Sequence, residues 1–285
     1  MPKMPCLRLS LRAITLLLAT SLLCACATSP TGRSQLLLIS PESAIVESRK
    51  AYVSTVRQLD AENKLLDDPL LADRVQLITG RLVAVAVEEF PRTRDWEWSV
   101  ALIDGPETVN AWCMAGGRMA VYSGLFEKLK LTDDEFAQIM GHEISHALAN
   151  HTAERMSVAM ATSVGVVAAG VASENRGAAL AGAALAAKLA IELPNSRGSE
   201  SEADQIGIEL AAKAGYDPAA AVTLWEKMET VSGAGPAEFL STHPAPGNRR
   251  AKLTGMVPDM RAIQRKGFGA PYPVSIVREG SGQTL

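Results

Sequence analysis

From Pro69 to Glu89, apolar residues fall at Leu71, Val75, Ile78, Leu82 and Val85. A spacing of three or four marks one face of an amphipathic helix. Asp68 ahead of Pro69 supplies an N-cap with proline at the first helical position. An earlier helix is predicted from Pro41 to about Asn63, and QLLLIS before it (Gln35 to Ser40) reads as a short strand or docking segment. Pro91 breaks the helical pattern. WEWSVALI, Trp96 to Ile103, is rich in β-formers and reads as a strand, with a turn at Asp104-Gly105-Pro106. Val109 to Gly124 reads as strand, Gly-Gly turn, strand. Thr132 followed by Glu135 forms a capping box for the next helix. Further helices are expected from about Ser199 to Ala214, from Asp217-Pro218 to about Val231, and from Asn248 onward, the last one basic. Gly233 to Gly247 reads as a Gly/Pro-rich loop, and the residues after Gly267 show little pattern. The pattern as a whole predicts a mainly helical α+β fold with a small sheet.

Residues 156–190 stand apart. Met156 to Ser173 carries no charge, yet Ala and Gly dominate and the stretch is less apolar than a usual membrane span. Helices packed on the protein or lying against a membrane surface are expected here, with shallow insertion as the alternative. Composition adds two limits. A 47% apolar fraction fills a core, and 21% charged residues argue against general disorder. A net charge of -3 without a basic stripe gives no nucleic-acid partner.

The N-terminus reads as a targeting segment. Lys3, Arg8 and Arg12 precede a short apolar run, Ala13 to Leu23, that ends in LCAC. Leu23 to Cys26 resembles a bacterial lipoprotein signal. That resemblance implies removal of residues 1–25, a lipid on Cys26 and a periplasm-facing protein anchored in a membrane, with the outer membrane favoured. An ordinary signal peptide or an uncleaved anchor is the alternative. The division expected is residues 1–25 signal, 26–34 lipidated cysteine and tether, 35–265 the main folded domain and 266–285 tail. Cys113 is then left without an intramolecular partner and reads as a small buried apolar residue.

The chain has four histidines, and three lie in GHEISHALANH, Gly141 to His151. His142 and His146 are four apart, so both imidazoles leave one helix face and can reach one ion. Glu143 points about 100° away, where it can take a proton from an attacking water. This is the HExxH arrangement of zinc proteases. His151 lies nine residues after His142, on the opposite side of a continuous helix, and reads as structural. ESEAD, Glu200 to Asp204, supplies the third ligand. Glu200 is the choice, with Glu202 as the weaker rival, and Asp204 would accept the outer N–H of a ligand histidine. His243 in THPAP sits on a stiff loop. It could stabilise an oxyanion or fill the open zinc position; the residues do not choose.

HEISH, SRGSESEADQIG, NAWCMAGGRMAVYSGL, TGRSQLLLIS and STHPAPGNRR together resemble one family. This is the HtpX/BepA/LoiP-like group of membrane-associated gluzincin endopeptidases, peptidase family M48, with the exported lipoproteins nearest. The resemblance implies a zincin-like domain with its sheet packed on the HExxH helix. It implies one zinc ion on His142, His146 and Glu200, with Glu143 as base, Asp204 behind a ligand and His243 nearby. It further implies a substrate strand, for which Arg118, Met119, Ala120 and Val121 are the expected residues. Arg197 is expected to meet an acidic group or stay solvated. Ala115 departs from the proline that the family commonly places before Gly116-Gly117. The implied function is cleavage of unfolded or misassembled cell-envelope proteins, in contact with envelope assembly machinery. The alternative is a non-hydrolytic zinc-stabilised chaperone or assembly lipoprotein.

Overall fold

The computed structural model describes residues 26–172, 195–231, 238–244 and 247–281. The predicted signal segment 1–25 and the part of the Ala/Gly-rich stretch beyond Ala172 lie outside the described residues. A short hairpin, β1 (Cys26–Thr28) and β2 (Ser34–Leu36), leads into α1 (Pro41–Ala61) and α2 (Pro69–Glu89). Then come β3 (Ser99–Ile103), β4 (Ala111–Met114), β5 (Arg118–Tyr122), α3 (Gly124–Leu129) and α4 (Asp133–Leu148). The rest is α5 (His151–Ala172), α6 (Arg197–Lys213), α7 (Ala220–Val231), α8 (Glu238–Thr242), α9 (Arg249–Ile263) and β6 (Ser275–Val277). No helix among the described residues is long and apolar enough to cross a membrane.

The caps act where their chemistry predicts. Asp68 accepts from the Leu71 amide, and Thr132 and Glu135 form the reciprocal box that starts α4. The four-stranded sheet runs β4-β5-β3-β6. β3 is parallel to both β5 and β6, whereas β4 is antiparallel to β5. β3 is buried along its whole length. Val100 and Leu102 face a core built with α2 and α4, while Ala101 and Ile103 meet Tyr52 and Val56 of α1. Burial on both faces explains why this strand reads as a continuous apolar run.

Two expected boundaries change. Residues 26–34, expected as a tether, begin an ordered hairpin. Residues 266–285, expected as a patternless tail, contribute β6, which pairs with β3 in register Val100↔Ile276. Three residues are too few to display a period, so the strand leaves no mark on the sequence pattern.

Candidate active site

α4 and α6 build the site together. His142 and His146 leave one face of α4, and their Nε2 atoms stand 3.1 Å apart. Glu200, in the first turn of α6, is completely buried. Its Oε2 lies 3.3 Å from His142 Nε2, and its Oε1 lies 3.3 Å from His146 Nε2. His243, just after α8, brings Nδ1 to 3.0 Å from Glu200 Oε1 and 3.3 Å from His142 Nε2. One donor atom from each of these four residues falls within 4.8 Å of every other.

These residues fit a zinc ion. A tetrahedron with arms of about 2.0–2.1 Å has donor–donor edges of about 3.3–3.4 Å, and the separations above are close to that. Glu200 Oε2 makes no hydrogen bond despite its burial. Arg249 Nη1 faces its charge at 3.4 Å without a hydrogen bond, so the oxygen keeps a lone pair for a further cation. Burial works to lower the His142 pKa, but the charge of Glu200 and the hydrogen bond to Asp204 outweigh it and push it up to about 9. Burial carries His146 well below its ordinary value. Burial opposes ionisation of Glu200 too, yet the surrounding imidazoles hold its carboxyl far below the usual range.

Glu143 flanks the cluster. Its Oε1 is buried without a hydrogen-bond partner and lies 3.4 Å from His243 Nε2. Burial raises its pKa, with the neighbouring His243 and His142 acting in the other direction.

The two α4 histidines are held from behind by different arms. His142 Nδ1 lies 3.0 Å from Asp204 Oδ1, and Asp204 in turn accepts from Arg249. Arg249 is buried, with its guanidinium 3.8 Å from the centre of the Trp225 ring. His146 Nδ1 lies 2.7 Å from His151 Nδ1, whose Nε2 lies 3.1 Å from Glu202 Oε2. The expectation that His151 points away assumed an unbroken helix, and it is corrected here. α4 ends at Leu148, Asn150 turns left-handed at φ 57, and α5 starts at His151, which swings the ring back to His146. Arg92 donates to the Leu148 carbonyl and so caps the break.

A cleft of about 340 Å³ opens over Glu143, His146 and His243, bounded by Trp112, Cys113 and Met114 of β4, together with Arg155 and Asn195. Here the expected substrate strand is corrected. Arg118, Met119, Ala120 and Val121 lie in β5, which pairs with β4 on one side and β3 on the other. Its main-chain groups are already engaged. Among the described residues, β4 is the edge strand beside the cleft. Arg197 is exposed at the start of α6, and Arg249 is the arginine that meets the acidic groups of the site. Cys113 is free and buried, as expected, and burial pushes its thiol pKa well up.

The profile of Peptidase family M48 matches residues 69–257, well over half of the chain. The chain belongs to peptidase family M48. Its site is a zinc metallopeptidase site of that family, with the HExxH histidines at 142 and 146. Among curated proteins, Metalloendopeptidase OMA1, mitochondrial, of Homo sapiens is 30% identical over 82% of this chain and 46% of its own length. The Beta-barrel assembly-enhancing protease of Escherichia coli (strain K12) is 30% identical over 73% of this chain and 43% of its own. Mitochondrial metalloendopeptidase OMA1 of Arabidopsis thaliana is 38% identical over 55% of this chain and 30% of its own. The chain therefore spans roughly a third to a half of the length of these relatives.

Two supports of the M48 site escaped the sequence reading. Arg249 sat unassigned in GNRR, since a lone arginine after a loop carries no spacing signal. Asn195, whose Nδ2 lies 3.5 Å from both His146 Nε2 and His243 Nδ1, likewise had none.

Proposed function

We propose that this M48 chain is a zinc-dependent endopeptidase of the cell envelope. It would cut extended segments of unfolded or misassembled proteins while anchored through a lipid on Cys26. His142, His146 and Glu200 are the proposed ligands, and Glu143 is the proposed base. The observation that carries the reading is the buried Glu143 carboxylate, its Oε1 left without a hydrogen bond, beside four converging donors. A purely structural zinc site has no use for such a group.

Zinc bound at this cluster supplies a Lewis acid for the scissile carbonyl and makes water a stronger nucleophile. Glu143 takes the proton of the attacking water and returns it to the leaving amine. Asp204 and Arg249 hold the His142 ring, so that its Nε2 lone pair faces the cluster. The β4 edge, Ala111 to Met114, offers main-chain groups to which an extended peptide can pair across Glu143. Selection of unfolded chains follows, because a folded substrate has no free strand to offer. His243 Nδ1 sits among the proposed ligand atoms, which supports a closed arrangement in which His243 would be a fourth donor. Substrate would enter when that loop withdraws.

Envelope substrates are supported by the lipoprotein-like LCAC sequence and by a relative named as a β-barrel assembly-enhancing protease. The four-donor closure also favours the second reading, a non-hydrolytic zinc-stabilised lipoprotein. Incubating the zinc-loaded full chain with casein and with a folded protein and its unfolded form tests the proposal. Preferential cutting of the unfolded form is expected. No cutting by either wild type or His243→Ala would leave the scaffold reading standing. Cys26→Ser should release the protein from the membrane fraction; retention there would remove the lipid anchor from the proposal.

A further inference from the structure

We infer that His151 and Glu202 are positioning residues for His146, and that the turn of the N-terminal hairpin, through Thr31 and Arg33, completes this arm of the site. The inference rests on the reading of His146 as a zinc ligand.

One assignment of protons satisfies the whole chain of contacts. A histidine that offers its Nε2 lone pair to a metal carries its hydrogen on Nδ1. His146 Nδ1 must then donate, and the atom facing it at 2.7 Å is His151 Nδ1, which must accept. His151 therefore carries its own hydrogen on Nε2 and donates to Glu202 Oε2 at 3.1 Å. The carboxylate accepts it. Every ring nitrogen on the path has one role, and reversing any one leaves two donors or two acceptors face to face. The neutral, metal-ready tautomer of His146 is fixed by a glutamate it does not touch.

Glu202 is fixed from the other side by the hairpin turn. Thr31 Oγ1 donates to Glu202 Oε1 at 2.6 Å, and Arg33 Nε donates to Oε2 at 2.8 Å. The remaining Arg33 nitrogens grip Glu154 of α5 at 2.7 and 2.6 Å. Gln35 of β2 donates to Glu154 at 3.0 Å and to the Ala149 carbonyl at 2.7 Å, at the helix break that aims His151. The hairpin thus braces both the carboxylate and the turn. Glu202 and His151 are each almost wholly buried, at 4% and 1% exposure, so water offers no substitute partner. His142 has its own, separate support in Asp204 and Arg249. The outer carboxylate therefore faces His142 directly and reaches His146 only through a second imidazole.

His151→Phe keeps a ring but removes both hydrogen-bonding roles; His151→Asn keeps an acceptor near the Nδ1 position. Zinc affinity of the full chain, measured by chelator competition, should fall about 10- to 100-fold for the Phe variant and less for Asn. The visible spectrum of the cobalt(II)-loaded protein should shift in the Phe variant, because the field at His146 changes. Thr31→Val with Arg33→Met should weaken zinc binding in the same direction by a smaller factor. Zinc affinity and cobalt spectrum unchanged in His151→Phe would overturn the inference, as would a loss of melting temperature in the metal-free protein with affinity intact. If the Phe variant does not fold, Glu202→Met, which leaves His151 Nε2 no acceptor, takes the same measurements, and wild-type values there overturn it equally. His146→Ala separates the underlying reading: if it still binds zinc at wild-type affinity, the ligand assignment has failed.

Discussion

Gly141 and Gly207 meet backbone to backbone. A Cβ on Gly141 would lie 2.8 Å from the Gly207 carbonyl oxygen, and one on Gly207 would lie 2.8 Å from the His142 amide nitrogen. This contact sets how near α6 comes to α4, and hence whether Glu200 reaches the two histidines. Gly207→Ala should force the helices apart, lowering stability by about 1–3 kcal/mol in urea unfolding and weakening zinc binding. A variant with wild-type stability and zinc affinity would show that the helices shift without consequence.

Glu143→Gln keeps the shape of the side chain and removes the base. Zinc content should stay at the wild-type level while casein cleavage falls by about 10²- to 10⁴-fold. Retained cleavage would dismiss Glu143 from the chemistry.

His243→Ala separates its two roles. As a fourth donor that closes the site, its removal should speed cutting of an unfolded substrate several-fold. An oxyanion stabiliser would instead lose about 10²- to 10³-fold in kcat. The direction of the change decides.

Removing zinc with a chelator should abolish cleavage and lower the melting temperature, since an ion bound only by the folded state stabilises it by mass action. Adding zinc back should restore both. A melting temperature indifferent to chelation would argue against a zinc ion in the cluster.

Glu135 gives a pH prediction away from the ligands. Burial acts to raise its pKa, but Lys227, the Thr132 amide and Thr223 hold it below the ordinary value. Its contribution is therefore fully present above the usual glutamate range and is lost as pH falls through the lowered folded value. Glu135→Gln keeps an acceptor for the capping box but loses the charge paired with Lys227, and should cost about 0.2–1 kcal/mol at pH 7. The gap from wild type should narrow in urea titrations at pH 4 and below. A gap independent of pH would mean the charge is not what matters.

What the sequence revealed tracks how local the cause is. The start of α2 follows from Asp68-Pro69, and α4 from Thr132 and Glu135, because a cap needs only neighbouring residues. The joining of His142 and His146 follows from helix pitch, and Glu200 and Asp204 follow from their spacing of four in ESEAD beside an intact HExxH, which the family resemblance then reinforces. The face of His151 depended on one left-handed residue, Asn150, that no periodicity reports. The order of strands is set by long-range pairing, so β5 was taken for an edge when β4 is one. Arg249 reaches Asp204 across 45 residues of chain, beyond any spacing rule.

β6 occupies the border of the sheet opposite β4. Among the described residues the sheet has two rims, β4 beside Glu143 and the three-residue β6. Trimming the protein at residue 265 would remove β6 and bare the buried Ser99–Ala101 stretch of β3, on the side of the sheet away from β4. Chains pairing there would sit across the sheet from Glu143, and the bared rim would become a template for aggregation.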